Sequence, residues 1–392
     1  MCTPTAKKPV PGMHEHSDVT VIGAGIIGMS VAWNLSRRGA RVLVIEGKGI
    51  GSGATAVQPG GVRTQWTSPD TCAMALESRQ FYDSIDEFLR PALTPDFDPC
   101  GYAFIASSAA TLEQLAMNVR RQNELDVPAV MLSPAELAAL VPGLNADQFA
   151  GGSYNAEDGY FGRPTAVVTA FADAARRCGA TIRAATVQRL EHDAGPWALP
   201  CEDGSRPTAD QVVVAAGMAS ADLVGSVGYE LPISAEPRFL FYSNPIPRPL
   251  VRPLLVFQDE HFAVKQLADG CVLTSDLSHG LTGEPDEARW REEVTQKARR
   301  LVPVLEYVRY AVMVQGFYDV TPDLQLVVGP VPGHAGLFAA TGMNGRGLML
   351  APSVGRMIAD AVETRTDASI PSTLFPGRFA AGEHLEKEHQ VI

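Results

Sequence analysis

Three glycines and one acid carry the first chemical signal in this chain. Gly23, Gly25 and Gly28 fall within Gly23-Ala24-Gly25-Ile26-Ile27-Gly28, directly after the apolar, β-branched run Val19 to Ile22. That order suits a pyrophosphate. Gly23 permits the tight turn, Gly25 lets the backbone come up to the phosphates, and Gly28 lets a helix pack on a strand. Ala24, Ile26 and Ile27 present backbone to the same ligand. The helix that starts here adds free N–H groups and the positive end of its dipole. Glu46 follows 18 residues after Gly28, where a carboxylate can hold a ribose 2′-OH and would repel a 2′-phosphate. The chemistry this favours is dinucleotide binding, with FAD or NAD over NADP; the other reading is a glycine-rich turn with no ligand.

A second cluster follows at once. Gly47-Lys48-Gly49-Ile50-Gly51-Ser52-Gly53-Ala54-Thr55 and Gly60-Gly61-Val62-Arg63 hold too many glycines for a regular element. One reading is a flexible surface loop. Its place directly after the nucleotide unit favours another: backbone passing close to a ligand, with the Ser52 and Thr55 hydroxyls on phosphate. Arg63 then stands beside the ligand as a planar donor; the alternative is an ordinary surface arginine. A third glycine-rich turn, Gly342 to Gly347, joins an apolar strand to an amphipathic helix. The positive end of that helix can stabilise negative charge on a redox cofactor, with Asn344 and Arg346 as added donors. A plain strand–helix turn is the other reading.

These residues need a scaffold, and the chain is long enough for two domains at 392 residues. The hydrophobic fraction of 46% and charged fraction of 19% are those of an ordinary globular protein. A net charge of −12 argues against a nucleic-acid partner. No apolar run reaches the roughly 18 residues of a membrane span. Met1 to Ser17 is polar, lacks an apolar stretch, and reads as a flexible tail rather than a secretion signal. Cys2, Cys72, Cys100, Cys178, Cys201 and Cys271 form no CxxC pair, so the expectation is reduced thiols in the cytoplasm and no metal site.

Periodicity places the elements. Val19 to Ile22 and Val42 to Ile45 are strands around a helix carrying Ile27, Val31 and Leu35. Ser68 to Leu89 reads as helix. Ser133-Pro134-Ala135-Glu136 is a helix start, with Ser133 as N-cap and Glu136 at N3. Val212-Val213-Val214-Ala215-Ala216-Gly217 is a buried strand entering a small-residue turn. Between about 229 and 310 the pattern is strand-rich. The expected domains are interleaved. Residues 18–90, 151–225 and 315–392 form an α/β, Rossmann-like nucleotide domain. Residues 91–150 and 226–314 form an α+β substrate domain on an antiparallel sheet.

The N-terminal fingerprint, VVVAAG at 212–217 and GFYDVTPDLQLVVGPVPGHAGLFAATGMNGRGLMLAPSVGR at 316–356 together resemble the D-amino-acid oxidase superfamily of FAD-dependent enzymes. Within it they resemble the sarcosine oxidase/dehydrogenase-like branch, and the likeness spans nearly the whole chain. The resemblance implies FAD extended along the α/β domain, with the second sheet roofing the substrate. It puts Gly23, Gly25, Gly28 and Glu46 on the AMP half, and Ser52, Ala54 and Thr55 near the pyrophosphate with Gly47. Gly60, Gly61 and Val62 would run beside the flavin, and Val187 would hold the adenine through its backbone. Ala215, Ala216, Gly217, Gly342, Asn344, Gly345, Arg346, Gly347, Leu348 and Met349 complete the implied cofactor set. Relatives that tether flavin do so through a cysteine, here Gly316, or through a histidine in the early loop, absent from Ala54 to Gly61. Noncovalent FAD is therefore implied. Met349 stands where relatives carry a carboxylate-binding lysine, Arg346 where a histidine is common, and Thr274 near an oxygen-activating lysine, with Lys265 on the neighbouring strand.

The candidate catalytic residues are Arg63, Arg346, Tyr242, His261 and Lys265. Hydride transfer to flavin asks little of acid–base groups, because the cofactor carries the reaction. The expected reaction is oxidation of the C–N bond of a small secondary or N-methyl amino acid or related amine, with O2 or another electron acceptor. The alternatives are oxidation of a D-amino acid or 2-hydroxy acid, and an FAD-binding subunit of a larger complex.

Overall fold

The computed structural model describes residues 16–277, 286–380 and 387–388. His16–Ile22 is a strand flanked on both sides by parallel partners, Val42–Glu46 and Thr208–Val214. The sheet runs Val327–Pro330, Leu337–Thr341, Thr208–Val214, His16–Ile22, Val42–Glu46, Thr181–Ala184, with Trp197–Ala198 paired antiparallel to Thr208–Val214. Its central strands carry buried apolar runs, Val19 to Ile22 broken only by Thr20, Val42 to Ile45, and Val212 to Val214, as strands of a covered parallel sheet do. The helix Ile26–Ser36 is buried at every residue, and its polar side chains, Ser30, Asn34 and Ser36, each donate to a backbone carbonyl. It lies against Pro164–Arg177 and Gly347–Thr364. An added Cβ at Gly355 would lie 2.2 Å from Ser30 Oγ, so only glycine permits that crossing. Ser30 Oγ in turn donates to the Ala351 carbonyl at 2.7 Å.

The second sheet has eight strands in the order Tyr310–Val320, Ser234–Ser243, Val272–Asp276, Phe262–Gln266, Leu254–Phe257, Tyr102–Ala106, Gly151–Asn155, Val130–Leu132. It is antiparallel except where Leu254–Phe257 runs parallel to Tyr102–Ala106. A small third sheet joins Gly61–Val62, Gly159–Phe161 and Phe97–Asp98.

Three boundaries differ from the sequence reading. Gly151–Asn155 and Tyr310–Val320, in whole or part expected on the nucleotide side, belong to the eight-stranded sheet. Alternation shows that a segment is a strand but does not name its neighbour. The first strand begins at His16, inside the expected tail, with Ser17 buried and bonded to the Thr20 hydroxyl; residues 1–15 lie outside the described part. The helix start at Ser133 carries its full capping box, with Glu136 N–H on Ser133 Oγ and Ser133 N–H on Glu136 Oε2.

Candidate functional site

The strand order reverses around His16–Ile22, so a crevice opens beyond its carboxyl end, and Gly23 to Gly28 fills that position. The three glycines are constrained differently. A Cβ at Gly23 would sit 2.4 Å from the Ala215 carbonyl oxygen, and one at Gly28 would sit 2.0 Å from the Gly23 oxygen. A Cβ at Gly25 would meet only Thr55 Oγ1, at 3.4 Å. The fold itself demands the first and third glycines; the bare face of Gly25 is a cradle left for something else. Beside it, Thr55 Oγ1 accepts from the Ile26 N–H at 3.2 Å and retains its own proton to donate. The remaining N–H groups of the first turn, at Ile27 and Gly28, have no intrahelical acceptor.

Glu46 closes over the same turn. Its Oε2 accepts from the Ala24 N–H at 2.7 Å, and its Oε1 from the Lys48 N–H at 2.7 Å and the Gly49 N–H at 3.1 Å. Ser52, expected on phosphate, points its hydroxyl at Glu46 Oε1 instead, at 3.4 Å. Ala54 is exposed on the short helix Ala54–Val57, and Gly47 packs against Thr186. Val187 pairs with Cys201 in an antiparallel bridge held by Gln188 N–H on the Pro200 carbonyl and Glu202 N–H on the Thr186 carbonyl. In such a pair the N–H and C=O of Val187 itself face outward.

A cleft with about 830 Å³ of empty space lies where the closing helix, the early loop and the eight-stranded sheet meet. Gly61 and Arg63 reach it from the loop, Leu240 and Lys265 from the sheet, and Leu348 and Met349 from the helix. The helix Gly347–Thr364 begins at this wall with Arg346 as its N-cap. Its first-turn N–H groups, at Gly347, Leu348 and Met349, are unpaired within the helix and add a positive dipole end. Pro352 sits inside the helix and cannot donate to the Leu348 carbonyl. The buried Tyr82 hydroxyl supplies that missing donor.

The turn before the helix is built by its own bonds. Asn344, at φ 50°, accepts the Thr321 N–H at 3.0 Å and donates to the Gly342 carbonyl at 2.6 Å. Its amide, expected as a donor to the cofactor, is committed to the turn. At Gly345, φ is 81°, and a Cβ would lie 2.4 Å from the Tyr318 ring. Tyr318 is therefore laid against bare backbone on the cleft wall. Ala215, Ala216 and Gly217 follow the end of Thr208–Val214, with the Ala215 carbonyl against Gly23, the Ala216 N–H held by Ser220 Oγ and the Gly217 carbonyl accepting from Thr341 Oγ1; none of the three lines the cleft. Gly60 packs on Phe161, and Val62 is buried without lining the cleft.

The two arginines dominate the electrostatics. Arg63 is 2% exposed and donates from Nη1 to the Gln65 carbonyl at 2.9 Å, with its Cζ 3.5 Å from the Trp66 ring centre. Arg346 is 1% exposed and donates to the Met343 and Leu324 carbonyls. Its buried Nη1 has no acceptor among the described residues. Burial pushes the Arg346 guanidinium down to about 10, which leaves it a cation at neutral pH, and lowers that of Arg63 from its ordinary value. Asp158 fixes the loop that bears Arg63. Its carboxylate accepts from Thr64 N–H and Oγ1, both at 2.8 Å, and from Gln65 Nε2 at 3.0 Å. Burial pushes Asp158 up to about 6.

Lys265 is 2% exposed, donates from Nζ to the Pro59 carbonyl, and lies 4.1 Å from the Tyr160 ring centre. Burial brings it down to about 7. The other two sheet candidates are elsewhere. His261 is exposed in a left-handed turn at φ 49°, ahead of the strand Phe262–Gln266. Tyr242 lies on Ser234–Ser243, whose Leu240 lines the cleft while Tyr242 does not. Tyr102 and Tyr318 line the cleft and were not singled out in the sequence. The signal for each was a nearby glycine: Gly101 directly before the strand of Tyr102, and Gly316 two residues before Tyr318 within its strand. No Asp, Glu, His or Cys lines the cleft among the described residues, and none of their His, Cys, Asp and Glu side chains cluster as metal ligands.

Residues 18–361 match the family described as FAD dependent oxidoreductase. The chain is similar to FAD-dependent oxidoreductase domain-containing protein 1 of Bos taurus, 26% identical over 96% of this chain and 87% of that one. It is similar to glycine oxidase of Geobacillus kaustophilus (strain HTA426), 27% identical over 91% of this chain and 95% of that one. In fold it resembles the crystal structure of L-proline dehydrogenase from P. horikoshii, with a TM-score of 0.87 at 24% identity, covering 95% of this chain and all of that one.

Proposed function

This chain belongs to the FAD dependent oxidoreductase family, and from that premise we propose that it oxidises the C–N bond of a small amino acid bearing a secondary or N-methyl amine. FAD, when bound, would supply the oxidising chemistry, a hydride acceptor for the carbon beside the nitrogen. The residues fit that cofactor. The bare Gly25 face and the first turn at Ile26 to Gly28 would hold the pyrophosphate, Glu46 the ribose, and the outward backbone of Val187 the adenine. The start of Gly347–Thr364 would face the pole of the flavin that gains negative charge. With no cysteine or histidine lining the cleft among the described residues, the cofactor would be held noncovalently, and acid precipitation should release FAD into solution.

One observation carries the substrate reading: Arg346 lines the cleft with a buried, unpartnered Nη1, and Arg63 stands beside it on the same tryptophan. A carboxylate is the ligand that a leftover guanidinium donor takes best. The same lining offers no acid among the described residues, so an ammonium group would meet cations without a counter-charge. The substrate is bound with its amine neutral, which also leaves the nitrogen lone pair free. The five described cysteines form no disulfide with one another, in keeping with a reducing cytoplasm. Anaerobic bleaching of the flavin with a panel of N-methyl and cyclic amino acids, D-amino acids, 2-hydroxy acids and plain amines tests the reading. Bleaching by secondary amino acids supports it; bleaching by hydroxy acids alone refutes it, and a flavin that none of them bleaches points to a binding subunit.

A further inference from the structure

Glu388 comes from beyond the last helix, yet it is 1% exposed. Its carboxylate sits on the end of the loop that carries Arg63. Oε1 accepts from the Thr67 N–H at 3.0 Å and from Thr67 Oγ1 at 2.5 Å, and Oε2 accepts from the Ser68 N–H at 3.0 Å. Its own N–H donates to the Asp323 carbonyl at 3.3 Å. The next residue, Leu324, supplies the carbonyl that receives Arg346 Nη2. Asp323 is itself anchored by the buried Arg378, with Nε on Oδ2 at 2.8 Å and Nη2 on Oδ1 at 3.1 Å. A single residue, 321 positions beyond Thr67 in the sequence, therefore ties the Arg63 loop to the turn that holds Arg346.

We propose that Glu388 is a positioning residue, a clasp that sets the spacing of the Arg63 and Arg346 guanidiniums for a substrate carboxylate. The carboxylate part of this rests on the reading given above. The charge of Glu388 works in the opposite sense from its bonds. An anion near the two cations partly offsets their charge and favours their protonated forms. Removing only a charge would strengthen anion binding; removing a clasp weakens it. The sign separates the two roles.

The test uses the FAD-loaded protein, Glu388→Ala and Glu388→Gln. Gln keeps the length and one acceptor oxygen for the loop amides and loses the charge. Acetate is the probe, followed through the flavin absorbance, with acetamide as the uncharged control. Glu388→Ala should weaken acetate by about tenfold or more, while Glu388→Gln stays within about threefold and acetamide is unaffected. Acetate binding unchanged or tightened in Glu388→Ala overturns the clasp. Hydrogen exchange supplies a second readout that needs no ligand. In Glu388→Ala, exchange should rise in 63–68, in 321–325 and in 343–346 together. A rise confined to Thr67 and Ser68 means that Glu388 only caps the helix Pro69–Asp83, and the clasp is refuted. If the unaltered protein ignores acetate, the carboxylate reading fails, and the exchange pattern still decides the clasp.

Discussion

The guanidinium carbon of Arg63 lies 3.5 Å from the centre of the Trp66 ring, and the Trp66 indole N–H returns a bond to the Arg63 carbonyl at 3.1 Å. Arg346 approaches the same ring at 5.2 Å. The indole is the spacer that lets two cations share a buried wall. A desolvated cation over an indole face is worth about 2 kcal/mol. Trp66→Ala should therefore cost roughly tenfold to thirtyfold in acetate affinity, and Trp66→Phe distinctly less. Acetate titrations of the flavin spectrum that match the parent protein would show the ring to be mere packing.

The three fingerprint glycines separate fold from ligand. Gly25 has ordinary extended dihedrals, φ −70° and ψ 179°, and room for a Cβ. Gly25→Ala should fold with the melting temperature of the apoprotein and fail to retain FAD. Gly23→Ala and Gly28→Ala should lower the melting temperature of the apoprotein itself, because the added carbon meets backbone oxygen at 2.4 and 2.0 Å. Full FAD retention by Gly25→Ala would remove the cradle from the account.

Lys265 sets a pH dependence of stability. Its ammonium is held to about 7 in the folded chain against an ordinary 10.5. Between those values the unfolded chain binds one proton more, so stability rises with pH, by about 1.4 kcal/mol per pH unit. Below about 7 the full penalty of a buried ammonium is present. Lys265→Met should therefore stabilise most in acid, and its advantage should shrink steadily above neutrality. Urea midpoints across that range check this, and an advantage independent of pH contradicts it.

Tyr82 and Pro352 form a compensating pair. Removing the Tyr82 hydroxyl strands the buried Leu348 carbonyl, at a cost of about 1–3 kcal/mol. In a Pro352→Ala background the helix regains its own N–H for that carbonyl, so Tyr82→Phe should then cost much less. The double-mutant cycle in urea measures the coupling; additive effects would mean that the phenol and the proline act independently.

The nucleotide half was legible because its signals are local. A turn, a helix start and a strand-end acid lie within about thirty residues, and steric rules fix what each glycine is for. Ser133 and Glu136 were readable for the same reason. The cleft was not, because its walls meet only in three dimensions. Tyr318 is defined by Gly345, Trp66 by two arginines, and the Arg63 loop by Glu388. His261 is a catalytic candidate by sequence, but its left-handed turn ahead of Phe262–Gln266 puts it outside, which no local pattern announces. Glu46 had the right position, but the backbone amides it accepts in the folded turn are invisible to spacing.

The central claim is that a substrate carboxylate pairs with the arginines of the cleft. The most direct measurement compares KM for the amino acid that bleaches the flavin with KM for its amide, in Arg346→Ala and Arg63→Ala. Breaking a charge-assisted pair costs about 2–5 kcal/mol, or roughly thirtyfold to several thousandfold. The acid should lose that factor in at least Arg346→Ala, while the amide, which lacks the charge, barely changes. Equal losses for acid and amide in both variants would contradict the account: the arginines would then serve the flavin, and an uncharged amine would be the substrate.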